Sequence, residues 1–146
     1  MSDKILALLR KTKVEIAPET FVLIALSHEN YRRLLENPEL SPRGTAPFML
    51  LADRYETTML LDAVDWQTMR HAARDAKIES NFRLLTFTVE LDWSVVGFLA
   101  FVSKILAEAN ISVGAISAFS RDHLLIKQDD LPQALKVLGE YVEELC

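Results

Sequence analysis

"RLLTFTVELDWSVVGFLAFVSKILAEANISVGAISAFSRDHLLIK", Arg83 to Lys127, decides the fold of this chain. Its opening residues alternate, with Leu85, Phe87, Val89 and Leu91 on one face and Leu84, Thr86, Thr88 and Glu90 on the other, the period of two that marks a strand. The period then changes. Phe98, Val102, Ile105 and Ala109 recur at helical spacing beside a second row of Val95, Leu99, Val102 and Leu106, so "VVGFLAFVSKILAEAN" predicts a helix with a wide buried face. "ISVGAISAF" and "HLLIK" follow as strands, separated by Ser120, Arg121 and Asp122. "LPQALKVLGEYVEEL" predicts a closing helix, capped by Asp130, with Leu135, Leu138, Val142 and Leu145 facing inward.

Working outward, the same order occurs earlier in the chain. "ETFVLIALS" (Glu19 to Ser27) reads as a strand, and His28 to Glu36 as a short helical turn. "NPELSPRGTAP" (Asn37 to Pro47) holds three prolines and a glycine, which makes it a loop and a hinge or lid candidate. "FMLLAD" and "ETTMLLDAV" form a hairpin around Arg54 and Tyr55, and "DWQTMRHAARDAK" reads as a helix capped by Asp65. The amphipathic "MSDKILALLRKTK" predicts a short leading helix without a secretory cleavage site. Each half is therefore strand, helix, strand, strand, helix. That order predicts an α+β fold of two modules with antiparallel sheets and helices on one face, divided as 1–13, 14–80 and 81–146. A complete ferredoxin-like module needs a fourth strand. Val14 to Ile16 could supply one, or the halves could share edges.

The totals exclude several classes of function. Of 146 residues, half are hydrophobic, enough for a sizeable core. No run reaches the 18 or so apolar residues of a membrane span, so no membrane partner is expected. The net charge of -5, with the acid excess in the second half and basic clusters only at Arg10 to Lys13 and Arg32, Arg33, argues against nucleic acid. The single cysteine, Cys146, offers neither a disulfide framework nor metal spacing and fits a cytoplasmic protein. His28, His71 and His123 lie far apart, so no metal site is expected. No nucleophile elbow or glycine-rich phosphate loop occurs, and the expectation is a protein without cofactors that is not an enzyme.

The run from Leu85 through Leu138 resembles the ACT domain, a regulatory module that senses amino acids in other proteins. The resemblance rests on Leu91 and Asp92, two spacer residues, then Val95, Val96 and Gly97 opening the helix, and on "LAEANISVGAISAF" followed by "RDHLLIK". It implies two ferredoxin-like ACT modules of βαββα type. The first half, with "ETTMLLDAV" before a Trp-containing helix, is similar to the partner module of tandem ACT proteins related to the cytosolic arginine sensors.

The resemblance further implies a ligand held by the first strand-helix loop, here Asp92, Trp93, Ser94, Val95, Val96 and Gly97, and by the end of the second strand, Ala118, Phe119 and Asp122. Phe119, Asp122 and His123 match the clamp order of the arginine-sensor relatives. Independently, the open N-H groups at a helix start suit the carboxylate of an amino acid. The reading is a regulatory protein that binds a small molecule, an amino acid, and acts through module or dimer arrangement. It predicts a homodimer and leaves room for a protein partner. The competing reading is an interaction module whose pocket is filled by its own side chains, Trp93 first.

Overall fold

The computed structural model describes residues 2–146. In chain order the elements are α1 (Ser2–Leu9), β1 (Lys13–Ile16), β2 (Phe21–Leu26), α2 (His28–Leu35), β3 (Met49–Ala52), β4 (Thr57–Asp62), α3 (Ala63–Met69), β5 (Lys77–Phe87), α4 (Phe98–Glu108), β6 (Gly114–Ser117), β7 (Asp122–Lys127), α5 (Leu131–Gly139) and β8 (Glu144–Leu145). Short 3-10 turns occupy Pro38–Leu40 and Gln128–Asp130. The fold is α+β, and its residues separate into two units. One is continuous, Glu19–Phe82; the other is split, Met1–Pro18 with Arg83–Cys146.

The continuous unit is strand, helix, strand, strand, helix, strand. Its order is β3-β4-β2 followed by residues 77–82 of β5, all antiparallel. Val22, Ile24 and Leu26 on β2 stand beside Leu61, Met59 and Thr57 on β4. Period two sends their side chains to one face, where they bury against Leu34, Trp66, Met69 and Ala73 of the helical layer. Asp53 shapes the predicted hairpin by accepting from the backbone N-H groups of Tyr55 at 2.7 Å and Glu56 at 2.9 Å. Helix α3 starts earlier than expected because its cap is Asp62, whose Oδ1 accepts from the N-H of Asp65 at 2.7 Å. Asp65 lies inside the first turn instead.

The split unit runs β6-β7-β5-β1-β8, using residues 83–87 of β5. Its fourth strand comes from the other end of the chain: Val14, Glu15 and Ile16 pair antiparallel with Phe87, Thr86 and Leu85. Strand β8 then adds parallel to β1. The sheet face of Val14, Leu85, Phe87, Leu124 and Ile126 buries against Ile5 and Leu9 of α1, Val102 and Leu106 of α4, and Ala134 and Leu138 of α5. Phe87 meets Phe98 edge to face at 5.4 Å between ring centres. Each fully buried side chain of this size contributes about 1.5–3 kcal/mol.

Two terminal expectations change here. Helix α5 stops at Gly139, because the chain turns to place Glu144 and Leu145 beside β1, so Leu145 belongs to a strand. Asp130 makes no side-chain cap; the helix enters through the preceding 3-10 turn with Pro132 in its first turn. Among the described residues no helix is long and apolar enough to cross a membrane.

Candidate functional site

Strand β5 ends at Phe87, short of the expected Leu91, because β1 ends its ladder at Lys13. Beyond it, side chains take over the backbone groups: Lys13 N-H donates to Thr88 Oγ1 at 2.9 Å and Val89 N-H to Thr12 Oγ1 at 3.0 Å. The chain from residue 88 to 97 is therefore a long irregular segment, and the turn after β6 is fastened to it. Leu91 N-H donates to the Ser120 carbonyl at 2.8 Å, while Ala118 N-H closes the turn onto the Arg121 carbonyl at 3.0 Å. Arg121 completes the join, donating from Nε to the Thr88 carbonyl at 3.0 Å and from a terminal nitrogen to Glu90 Oε1 at 3.2 Å. The turn is thus joined to the residues just ahead of the predicted loop, through a residue read there as turn chemistry.

Within the first segment Asp92 is engaged locally. Its Oδ1 accepts from Ser94 N-H at 2.8 Å and from the Ser94 hydroxyl, and both bonds hold the carboxyl below its ordinary range, the hydroxyl first. Neither Asp92 nor Ser94 caps α4. The N-cap position is Gly97, at φ 95°, a left-handed conformation that suits glycine, and no side chain accepts from the first turn. The helix start therefore keeps open N-H donors. Val95 is partly buried against the split unit's core, and Val96 is exposed.

Trp93 and Phe119 are fully exposed, at 102% and 103%. Trp93 therefore fills no pocket within its own chain. Ala118 is exposed, and the Asp122 side chain makes no hydrogen bond or ion pair among the described residues. His123, beside it, is half-buried with Nδ1 2.8 Å from Thr86 Oγ1. Burial holds its pKa below the ordinary value, against the pull of the Asp122 carboxylate. The arrangement offers open helix-start amides, one unpaired carboxylate and two unburied aromatic faces. Those groups suit a carboxylate, an ammonium or guanidinium, and an alkyl chain respectively.

Residues 77–140 match the model of the ACT domain family. Every residue expected at the site lies within that matched segment. No curated protein matches the sequence. Among solved structures, a protein from Agrobacterium tumefaciens is 17% identical with TM-score 0.69, covering 93% of this chain and 92% of that one. A protein of unknown function from Vibrio cholerae is 24% identical with TM-score 0.68, covering 96% and 98%. The regulatory subunit of aspartate kinase from Thermus flavus is 9% identical with TM-score 0.71, covering 90% and 98%. At these identities the likeness is one of fold.

Most of the continuous unit lies outside the ACT match, and it carries a feature that no motif announced. A cleft of about 730 Å³ is lined by Ser27, Asn30, Arg33, Asn37, His71 and Asp75, among others. Asp75 occupies the start of α2, accepting from Ser27 N-H at 3.2 Å and from the Asn30 side-chain amide. These bonds, the Asn30 amide foremost, hold its carboxyl below the ordinary range. Among the described residues no group of three His, Cys, Asp or Glu side chains could hold a metal ion.

Proposed function

We propose that the chain is a regulatory protein that binds an amino acid at the start of α4, between residues 92–97 and 118–122. The observation that carries this reading is the uncapped start of α4, with the Asp122 side chain unpaired on the turn that is fastened to the chain ahead of that helix. A ligand carboxylate takes the α4 amides, its cationic end takes Asp122, and Trp93 and Phe119 cover its alkyl part. The aspartate kinase regulatory subunit of the same fold supports a regulatory, non-catalytic role. In this reading the chain is a tandem ACT protein akin to the cytosolic arginine sensors. It is cytoplasmic, it acts as a homodimer, and ligand shifts the population toward the arrangement it bridges.

A second reading has one observation in its favour. Asp92 is already satisfied by Ser94, and the two exposed aromatics fit a protein surface as well as a ligand. A thermal-shift series against the twenty amino acids separates the two. A ligand at 100 times its Kd adds about 2.7 kcal/mol to stability, and the shift should disappear in Asp122→Asn. No shift with any amino acid would reject the ligand reading and favour a protein partner on the Trp93 and Phe119 surface.

A further inference from the structure

The proline-rich loop of the continuous unit is fastened unevenly. Its first part turns through Pro38–Leu40 and buries Leu40. From Pro42 to Pro47 the backbone makes no backbone hydrogen bond among the described residues, and the only polar tie is Arg43. Its Nε donates to Asp65 Oδ1 at 2.5 Å, a terminal nitrogen to Asp62 Oδ2 at 3.1 Å, and its backbone N-H to Asp65 Oδ2 at 3.4 Å. Asp62 and Asp65 are only 4% and 5% exposed, and buried carboxylates persist when a partner neutralises them.

Against the two ends of this segment lies a half-open apolar cavity of about 110 Å³. Leu40, Pro42 and Phe48 wall it on the loop side, and Leu34, Met59 and Met69 on the other. No charged side chain lines it, and the volume is of the order of the roughly 150 Å³ that holds a benzene ring. Its far wall belongs to helices and strands, and the loop completes it. Gly44, at φ +77°, has open space around it and sits next to the arginine.

We propose that residues 37–48 are a lid, latched by Arg43 onto Asp62 and Asp65, over a binding cavity for a small uncharged apolar molecule. Among the described residues the latch is the only polar connection of Pro42 to Pro47, so one set of bonds governs opening. Met59 and Met69 supply adaptable thioether walls. This inference is independent of the ACT segment.

The test uses methyl resonances of the methionines with benzene as probe, on the full chain and on two variants. Arg43→Ala releases the latch; Arg43→Ala with Asp65→Asn does so without stranding the Asp65 charge, in case the first variant fails to fold. Saturable shifts confined to Met59 and Met69, with Met49 unmoved, are expected. Benzene affinity should fall by about tenfold in the variants, since Leu40, Pro42 and Phe48 wall the cavity only while the lid is latched, apparent affinity scales with the latched fraction, and one charge-assisted bond is worth about that factor. Absence of shifts at both methyls in all three proteins would overturn the cavity. Equal affinity in the full chain and the double variant would overturn the latch.

Discussion

The two units repeat one order of elements but place their irregular chain on opposite sides of the first helix. In the continuous unit β2 passes to α2 through Ser27 alone, whose Oγ accepts from Asn30 N-H at 3.1 Å, and the slack follows the helix, in residues 36–48. In the split unit the slack precedes the helix, in residues 88–97. The consequence is chemical. A short junction lets Ser27 and Asp75 satisfy the α2 start from within the chain. A long one ends in left-handed Gly97 and leaves the α4 start open. One fold therefore closes a helix-start site in one unit and offers it in the other.

The comparison can be broken most severely at the core beneath the open site. Phe87 is fully buried and packs on Phe98, the first residue of α4. Phe87→Ala should cost about 3–5 kcal/mol, read as a lower urea midpoint with an unchanged slope. A loss under about 1 kcal/mol would mean that the start of α4 is not supported by this packing.

Next in size are the junctions themselves. Gly97→Ala forces a side chain into the left-handed region and should cost about 1–2 kcal/mol. Ser27→Ala should cost about 1 kcal/mol, and Ser27→Gly only a few tenths, because glycine tolerates the cap position. If Gly97→Ala were neutral while Ser27→Ala was costly, the contrast between a conformational and a hydrogen-bonded junction would be lost.

Much of this architecture was legible where burial is periodic. Leu85 and Phe87 in β5, and Phe98, Val102 and Ile105 in α4, announce their elements because each faces one core. Periodicity carries nothing for the closing strands. "KVEI" is four residues long and pairs with residues far along the chain. Residues 77–82 are almost wholly exposed, so no apolar rhythm marks them as the last strand of the continuous unit. Leu145 kept helical spacing with Leu138 but sits in a strand, since tertiary pairing with β1 overrides it. For the candidate site, motif order names Asp92, Gly97, Phe119 and Asp122. The engagement of Asp92 by Ser94 and the bridging by Arg121 depend on loop conformation, which spacing does not encode.

The smallest expected effect is a pH dependence that separates the segment matching the ACT family model from the rest. His123 is held neutral by burial, so its pKa in the folded chain lies below the ordinary 6.5. The unfolded chain then takes up the proton first. By linkage, stability from the neutral ring is complete above 6.5 and is lost as pH falls through the folded value. Arg121 adds to the depression, whereas Asp122 opposes it. His123→Gln should flatten the acid side of the stability curve from about pH 6.5 downward, measured as urea midpoints at several pH values. Asp122→Asn should steepen it, by removing the one carboxylate that favours the protonated ring. An amino-acid ligand whose cation pairs with Asp122 should act in the same direction as that substitution, since it neutralises the same charge. A ligand that stabilises the chain yet leaves this slope unchanged would place its cationic end somewhere other than Asp122.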